Sequence, residues 1–284
     1  MEDIIQIKNL RKVYRIGNEK VVALNKINLS VKKGEICCIF GTSGSGKSTL
    51  LNIVAGLEKP TKGDVFIGKV NMTRLNEKKL AIFRQKYIGF VFQSYNLMPA
   101  LTALENVSMP LMFRGVSSKK REKAAKAILK AVGLENRIKH KPSQMSGGQQ
   151  QRVGIARAFV SKPDIIFADE PTGNLDSKTT EDVMNLIVGM SRKYNLTVIL
   201  VTHDPEIAKY ADRIVHIIDG NIVEDKPNNS VYQPEKEKDA AQVSPEENQN
   251  GSLKEEPNPV SNEEDAGQPS APAATETGSL QAAN

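Results

Sequence analysis

The first sixty residues alternate between short apolar runs and turn-forming segments. The runs "IIQIKNL" (residues 4–10) and "VVALNKINLSV" (residues 21–31) predict two strands, and "RKVYRIGNEK" between them predicts a turn-rich link. A third run, "EICCIF" (residues 35–40), predicts a short buried strand. It leads through a glycine-rich stretch into "GKSTLLNIVAGL" (residues 46–57), whose one-sided apolar pattern predicts a helix that ends at Gly56.

Helical patterns dominate the middle of the chain. Thr102 and Glu105 have the spacing of a capping box at the start of one helix. The segment "SSKKREKAAKAILKAVGL" predicts a second helix, with Gly133 as its C-cap. We therefore expect a helical subdomain over about residues 95–160, inserted into the rest of the fold. A third helix, "GGQQQRVGIARAFV", has apolar residues available for packing at Val153, Ile155, Ala156 and Phe159.

Strands and helices alternate again after residue 163. This alternation predicts a mostly parallel sheet that is covered on both faces, and hence an α/β fold. The last two strands form a hairpin with Asp219 and Gly220 at its turn. The predicted elements are a strand in "DIIFADE", a helix in "SKTTEDVMNLIVGMSRKY", a strand in "LTVILVT", a short helix in "DPEIAKYA" and the hairpin "RIVHIIDGNIVED".

The last 57 residues, 228–284, differ from the rest in composition. They contain 11 acidic and 3 basic side chains, hence a net charge of −8, with six prolines and only five Val or Leu. Such a segment cannot bury enough apolar surface to offset its ordering entropy, so we expect a disordered acidic tail. Subtracting −8 from the total of +6 leaves +14 on residues 1–227, which we expect to form one folded domain. That basic surface suits solubility, nucleic acid or an anionic membrane face, and charge alone does not choose among them.

The two cysteines and the apolar runs bear on where the chain acts. Cys37 and Cys38 are adjacent within a predicted buried strand, which favours core packing over a disulfide, a metal site or redox chemistry. Free thiols suit a reducing cytosol. The acidic N-terminal segment "MEDIIQIKNL" is unlike a signal peptide, and no run approaches the roughly 18 apolar residues of a membrane span. We expect a cytoplasmic protein that can meet a membrane only from the side.

The glycine-rich stretch has the pattern of a phosphate-binding loop. Gly41, Gly46, Lys47 and Ser48 fit G-x-x-x-x-G-K-[ST], between a predicted strand and a predicted helix. The glycines let successive backbone N–H groups point into one concavity, and the helix adds its positive N-terminal end. Lys47 would reach the β- and γ-phosphates, and Ser48 would ligate Mg²⁺. The loop therefore predicts a nucleoside triphosphate, but not what the triphosphate is used for.

An acidic pair ends a later strand. In "DIIFADEP" the apolar residues hold the strand, so Asp169 and Glu170 emerge at its carboxyl end, where ligands bind in open α/β sheets. Asp169 can bind Mg²⁺, directly or through water, and Glu170 can serve as the general base for an attacking water. The alternative is that the pair only caps a helix.

A second glycine pair opens a helix in "QMSGGQQQR" (residues 144–152). A serine and two glycines at a helix N-terminus can form another anion site. Because the chain already has one phosphate loop, we expect this second site to serve the nucleotide of another subunit. The alternative is an ordinary N-cap with a flexible glycine pair.

Over residues 1–225 the chain resembles the ATPase subunit of ABC transporters. "GTSGSGKST" resembles the Walker A loop, "MSGGQ" the signature sequence, with Met145 where the family usually has leucine, and "IIFADE" the Walker B strand. "NLD" at 174–176 is similar to the D-loop. The resemblance implies a P-loop NTPase core with an antiparallel β part at the N-terminus, ATP as ligand with Mg²⁺, and roles for single residues. Nucleotide would contact Tyr14, Gly41, Thr42, Ser43, Gly44, Ser45, Gly46, Lys47, Ser48, Thr49, Ser146, Gly147, Gly148, Gln149 and Asp176; Mg²⁺ would contact Ser48, Gln93 and Asp169; and Glu170, His203, Lys47 and Gln93 would be catalytic.

For some of these residues an ordinary structural role is the alternative. The ring of Tyr14 would stack on adenine, or it is a packed strand tyrosine. Gln93 would offer its carbonyl to Mg²⁺ or water, or it is a surface polar residue. His203 would hydrogen-bond the γ-phosphate, although a lone histidine is more often structural.

The resemblance also implies partners. Two copies would close around two ATP molecules as a homodimer, with Asp176 acting across the dimer. "FQSYNLMPALTALENV" and "ADEPTGNLDS" resemble the branch for lipoprotein release, macrolide export and cell division. These ATPases drive a four-helix membrane permease with a large external domain, sometimes with a periplasmic or extracellular adaptor, from the inner face of the cell membrane. An apolar groove for the permease is expected at Tyr95, Leu97, Met98 and Leu101, unless these residues only pack the subdomain.

Two alternatives to transport stay open. A division-type ATPase that regulates a cell-wall hydrolase, without transport, would have the same motifs. A soluble ABC protein for DNA repair or translation is the other; such proteins usually have two ATPase units, a coiled coil or zinc cysteines, which this sequence lacks. We therefore expect no nucleic-acid partner.

Overall fold

The computed structural model describes residues 2–228, and the predicted acidic tail lies outside this range. Within it the chain forms ten strands and seven α-helices. The strands are β1 (Asp3–Ile16), β2 (Glu19–Lys32), β3 (Ile36–Phe40), β4 (Lys62–Ile67), β5 (Val70–Asn71), β6 (Ile88–Phe92), β7 (Ile165–Asp169), β8 (Thr197–Thr202), β9 (Arg213–Ile218) and β10 (Asn221–Pro227). The helices are α1 (Lys47–Val54), α2 (Glu77–Tyr87), α3 (Ala103–Phe113), α4 (Ser118–Ala131), α5 (Gly147–Phe159), α6 (Ser177–Tyr194) and α7 (Pro205–Ala208).

The larger sheet has six strands in the order β10-β9-β3-β8-β7-β6. Its neighbours are parallel except for the β9–β10 hairpin, which confirms the predicted mostly parallel α/β core. Phe40 pairs with Thr202, Val201 with Asp169, and Asp169 with Phe92, so four strands end at the same edge of the sheet. The loops that leave this edge contain the glycine-rich loop and most of the predicted catalytic residues.

The N-terminal part forms a second, antiparallel sheet in the order β2-β1-β4-β5, as the resemblance implied. The prediction of a turn-rich link over residues 11–20 is wrong, because only Gly17 and Asn18 turn the chain. Residues on either side continue the ladder, with Val13 opposite Val22 and Tyr14 opposite Val21. Cross-strand contacts between β-branched and aromatic side chains outweigh the local signal of charged residues.

The three predicted helices of the middle segment are present as α3, α4 and α5. Thr102 and Glu105 form both hydrogen bonds of the capping box at the start of α3. Gly133 has φ +74° just beyond α4, as expected for a C-cap. The apolar residues predicted to pack on α5, Val153, Ile155, Ala156 and Phe159, are all buried.

Two hydrophobic cores lie on the two faces of the larger sheet. One core contains Cys38 and Leu200 from the sheet and buried residues of α3 to α6. The other contains Cys37 from the sheet, α1 and the inner face of the antiparallel sheet. Both cysteines are fully buried in these cores, as the sequence predicted. No helix in residues 2–228 is both long and apolar enough to cross a membrane.

Candidate active site

The glycine-rich loop connects β3 to α1 and surrounds a concavity. Gly44 and Gly46 have φ of +81° and +105°, which favour glycine. A Cβ atom on Gly46 would lie 2.5 Å from the carbonyl oxygen of Ala23, so a larger residue cannot occupy this position without moving backbone. Lys47 is buried, and its Nζ donates to the carbonyl oxygens of Gly41 and Thr42 at 2.8 Å each. The loop therefore holds an ammonium group against its own backbone at the start of a helix.

A cavity of about 380 Å³ opens above this loop. It brings together part of the predicted site from four strand ends. Of the predicted residues, Ser43, Gly44, Gly46, Lys47, Ser48, Thr49, Gln93, Glu170 and His203 line it. Gly41, Thr42 and Ser45 form the supporting part of the loop, where Ser45 is buried.

Ser48 and Asp169 meet beside the cavity. The hydroxyl Oγ of Ser48 donates to Oδ1 of Asp169 at 3.4 Å. Burial raises the pKa of Asp169, and the charge of neighbouring Glu170 raises it further. A hydroxyl and a carboxylate fit Mg²⁺, which prefers oxygen ligands and is usually bound by one or two carboxylates together with substrate phosphates. No group of three or more His, Cys, Asp or Glu in residues 2–228 could hold a metal by itself.

Glu170 is held in place by three contacts from the end of β8. Its backbone N–H donates to the carbonyl oxygen of Val201 at 2.9 Å, and its Oε2 accepts from Thr202 Oγ1 at 3.1 Å. Its Oε1 lies 2.7 Å from Nδ1 of His203. Glu170 itself has φ +45°, a conformation that is costly for a side chain of this size and is typically stabilised by its surroundings. The side chain of Glu170 is 18 % exposed and that of His203 66 %, so the pair lies at the rim of the cavity.

Gln93 follows β6 and joins the cavity to the segment after Glu170. The backbone carbonyl oxygen of Gln93 accepts from Asn174 Nδ2 at 3.0 Å, and the side-chain Nε2 of Gln93 lies 3.5 Å from Asn174 Oδ1. A Cβ atom on Gly173 would lie 2.6 Å from Gln93 Nε2, so glycine is needed for this close approach. A shift of the 170–176 segment would therefore be expected to displace Gln93 at the cavity.

Tyr14 lies outside the residues that line the cavity. Its hydroxyl donates to Glu58 Oε2 at 2.8 Å, and burial raises the pKa of the phenol. Lys12 Nζ lies 4.9 Å from the ring centroid and pairs with Glu58 at 2.6 Å. Lys12 thus covers one face of the ring, and stacking of adenine on Tyr14 stays a prediction.

Comparison with known proteins identifies this arrangement. The family model described as "ABC transporter" matches residues 24–173. The chain belongs to the ABC transporter family. It is 45 % identical over 225 residues to the lipoprotein-releasing system ATP-binding protein LolD of Geobacter metallireducens, covering 79 % of this chain and 100 % of LolD. It is 44 % identical over 232 residues to the macrolide export ATP-binding/permease protein MacB of Vibrio parahaemolyticus, covering 81 % of this chain and 35 % of MacB.

A solved structure agrees with the sequence relatives. The dimeric, post-hydrolysis structure of the ATP-binding cassette MJ0796, bound to ADP and Pi, matches with a TM-score of 0.74 and 46 % identity, covering 78 % of this chain and 98 % of that one. The protein is accordingly an ABC-type ATPase with a P-loop NTPase fold, in the branch that includes LolD and MacB.

The ABC signature residues lie at the start of α5, away from the loop cavity of the same chain. Ser146 is the exposed N-cap: its Oγ accepts from Gln149 N–H at 3.3 Å, while Gln149 Oε1 accepts from Ser146 N–H at 3.2 Å. A Cβ atom on Gly147 would lie 2.8 Å from the hydroxyl of Tyr95, and one on Gly148 would lie 2.5 Å from Thr179 Cγ2. Ser146 and Gln149 therefore cap α5, as the structural alternative predicted. A role toward another subunit's nucleotide stays a prediction.

Asp176 of the D-loop caps α6 in a similar way. Its Oδ1 accepts from Thr179 N–H at 3.0 Å and its Oδ2 from Thr179 Oγ1 at 2.7 Å, and these hydrogen bonds lower the pKa of Asp176. Since Thr179 also touches Gly148, the N-termini of α5 and α6 lie side by side.

Three residues that support the site were not found from the sequence. Thr202 Oγ1 donates to the carboxylate of Glu170. Gln151 is fully buried, and its Nε2 donates to the carbonyl oxygens of Phe92, at 3.3 Å, and Pro171. Arg157 donates to the carbonyl oxygen of Tyr95 at 2.8 Å. The only signal was polar residues on the buried face of a predicted helix or at the end of a buried strand.

Proposed function

We propose that two copies of this chain bind two ATP molecules between them and drive a membrane permease by hydrolysing them. In this scheme Lys47 exchanges its contacts with loop carbonyl groups for the β- and γ-phosphates. Ser48, Asp169 and Gln93 would hold Mg²⁺, and the bound ion would supply positive charge that neutralises the phosphates. Ser146 to Gln149 of the other copy close over the γ-phosphate with their helix N-terminus, and Asp176 acts across the same interface.

The contact between Glu170 and His203 carries this proposal. It brings a candidate general base, Glu170, and a candidate hydrogen-bond donor to the γ-phosphate, His203, to the rim of the loop cavity. A carboxylate only accepts hydrogen bonds, so Nδ1 of His203 carries the proton in this contact. His203 must leave Glu170 or carry a second proton on Nε2 to donate to phosphate, and Glu170 must be released to face water. Nucleotide binding is therefore expected to separate the pair.

Replacing Glu170 by glutamine tests the assigned base. The amide cannot accept the proton of water, so we expect Glu170→Gln to lower kcat by about 100-fold or more. ATP binding is retained, and size-exclusion chromatography with ATP and Mg²⁺ shows a stable dimer. The matched control is Glu206→Gln, because Glu206 is exposed and pairs with Lys209 outside the loop cavity. Hydrolysis by Glu170→Gln at the rate of the control would show that Glu170 is not the base.

An exposed apolar surface suits the permease. Ile82 and Phe113 are 56 % and 65 % exposed, and with Met109 and Pro110 they border a cavity of about 370 Å³ between α2 and α3. Part of the predicted groove serves other contacts, since Leu97 packs against the core and Tyr95 approaches Gly147. We propose that this surface, together with exposed Met98, receives a short helix of the permease at the inner face of the membrane.

Charge reversal tests this surface. We expect Phe113→Glu to abolish capture of a permease from solubilised native membranes by the ATP-bound Glu170→Gln protein, while dimerisation with ATP is unchanged. Val223→Glu is the control, because Val223 is 56 % exposed on β10 and receives the same charge. Equal capture by both variants would place the permease elsewhere. The Glu170→Gln protein without the surface substitution is the reference. If it captures a division-type complex with a cell-wall hydrolase, or no membrane protein, the alternatives to transport are favoured.

A further inference from the structure

A groove lies at the edge of the larger sheet opposite the active site, and it shares no lining residue with the loop cavity. It has a volume of about 680 Å³ and is bordered by α4, by the ends of α5 and α6 and by the residues that precede β7 and β8. Ligand cavities usually measure about 300–1,000 Å³ and are lined mainly by apolar side chains with a few polar groups. The apolar floor of this groove includes Ala124, Ala127, Ile128, Phe159, Val160 and Leu196.

The rim of this groove is basic. Lys120 and Lys123 are three residues apart on α4, so they lie on one face of the helix. Lys33 and Lys162 come from the turns before β3 and β7, and Asp164 is the only acidic lining residue in residues 2–228. None of the four lysines makes an ion pair within the part of the chain that the structure describes. Their charge is therefore available to an anionic group.

The helix ends around the groove do not cancel this charge. Helix α4 begins here without an acidic residue in its first turn, so its positive end adds to that of the lysines. Helices α5 and α6 end here with the negative ends of their dipoles, but each has basic residues in its last turn. These are Arg157 in α5 and Arg192 and Lys193 in α6.

The distribution of apolar surface favours a small occupant over a protein partner. A stable protein interface covers about 800 Å² of each partner and would need apolar contacts beyond the groove itself. In residues 2–228, Tyr194 is the only large apolar side chain that is both highly exposed, at 43 %, and part of the groove lining. The apolar surface thus lies inside the concavity, under a charged rim.

We propose that this groove binds a long-chain fatty acid. The acyl chain lies on the apolar floor, where each methylene group removed from water adds affinity. The carboxylate lies among the ammonium groups of the rim, which form charge-assisted hydrogen bonds with it. Tyr194 suits the boundary between the two, because its ring is apolar and its hydroxyl group can face water. The site is separate from the nucleotide site, so binding can be measured without ATP.

Isothermal titration calorimetry of the full chain with dodecanoate, below its micelle concentration, tests the site. Lys120→Glu/Lys123→Glu reverses the rim charge, and Lys62→Glu/Lys69→Glu is the matched control at exposed residues of the antiparallel sheet. Ala127→Phe fills the groove from an exposed position on α4, so the fold can accommodate it. Its control, Ala81→Phe, makes the same change at an exposed position on α2. Circular dichroism verifies that all four variants are folded.

We expect one saturable site per chain. Reversing the rim charge weakens dodecanoate binding by about tenfold or more, because charged hydrogen-bond partners are lost. Ala127→Phe weakens it to a similar extent, and both controls bind like the parent. Octanoate, with four fewer methylene groups, binds at least about tenfold more weakly, and dodecyl maltoside, which has the same chain without charge, also binds more weakly. A dodecanoate analogue with a photoreactive diazirine labels peptides of α4 or of residues 159–164.

Several results would overturn the proposal. They are the absence of saturable binding up to about 1 mM, unchanged binding in either groove variant, equal affinity for octanoate and dodecanoate, and labelling outside the groove. Attachment to phosphatidylglycerol vesicles that the rim variant loses, without dodecanoate binding, would favour a membrane surface instead. Displacement of dodecanoate by an acidic amphipathic peptide that binds more tightly than the fatty acid would favour a protein partner.

Discussion

Asp169 and Glu170 are adjacent acids that the backbone places in different surroundings. Asp169 is the last residue of β7 and meets Ser48, whereas Glu170 turns into a left-handed conformation and meets Thr202 and His203. The strand pattern predicted that both would emerge at the ligand edge. It could not predict that β8, far away in sequence, would supply the hydroxyl and imidazole that fix the carboxylate of Glu170.

Burial of Asp169 predicts a conflict between stability and metal binding. Because its pKa is raised in the folded protein, the folded state binds more protons than the unfolded state between the ordinary and the raised pKa. The free energy of unfolding therefore falls as pH rises through that window, and the full penalty is present at neutral pH. We expect Asp169→Asn to raise Tm at pH 7 without nucleotide by about 1–4 °C.

The pH dependence of Tm distinguishes this effect from others. The difference between Asp169→Asn and the parent should vanish below about pH 4, where an ordinary aspartate is protonated in both states. In the same variant, added Mg²⁺ should no longer increase the rise in Tm that ATP causes. Asp164→Asn, at an exposed position before β7, is the control and should change neither property. A lower Tm for Asp169→Asn at pH 7 would contradict the expected penalty.

Helix α5 connects two functional loops by buried polar side chains. It begins with the signature residues, and one turn later Gln151 donates to the residues before Gln93 and after Glu170. Arg157 fixes Tyr95 and Asn96, two residues with φ of +58° and +47°. A shift of α5 is therefore expected to move Glu170, Gln93 and the signature residues together.

Replacing Gln151 by methionine tests this connection. Two buried carbonyl groups would lose their donor, which costs about 1–3 kcal/mol of unfolding free energy. Because Pro171 follows Glu170, we also expect single-turnover hydrolysis at saturating ATP to fall by roughly 10–100-fold. Urea denaturation and rapid quench measure the two effects. Gln150→Met is the control, since the side chain of Gln150 donates to the carbonyl oxygen of Met145 at the same helix start. A loss of stability with unchanged hydrolysis would make Gln151 a purely structural residue.

The elements predicted best were those whose pattern matched their final burial. The apolar strands β3, β7 and β8 and the amphipathic helices α4, α5 and α6 needed no information beyond their own residues. The continuation of β1 and β2 through residues 11–20 was missed, because this segment is rich in charged residues and its ladder is stabilised by the facing strand. Long-range pairing of this kind is not encoded in a local pattern.

At the scale of the whole molecule, one sheet is shared by two cores. Cys37 and Cys38 are neighbours on β3, so their side chains point to opposite faces. Exposure of each thiol therefore shows whether a different layer has opened. Cys37 is covered by the layer with the antiparallel sheet, and Cys38 is covered by the layer with α3 to α6. Burial raises the pKa of Cys37 and raises that of Cys38 to about 12, so neither forms the reactive thiolate while folded.

Cysteine alkylation in urea can show whether these layers unfold together. We expect both thiols to be inert in the native protein and to become labelled with the same urea midpoint, because removing either layer exposes the strands that the other needs. Fragmentation of the peptide that contains both cysteines assigns the label to each. Ser118→Cys, at an exposed position on α4, should react at once and confirms that the reagent is active. Labelling of Cys38 at a lower urea concentration than Cys37 would mean that the helical layer opens as a separate unit, and the two cores would then be independent.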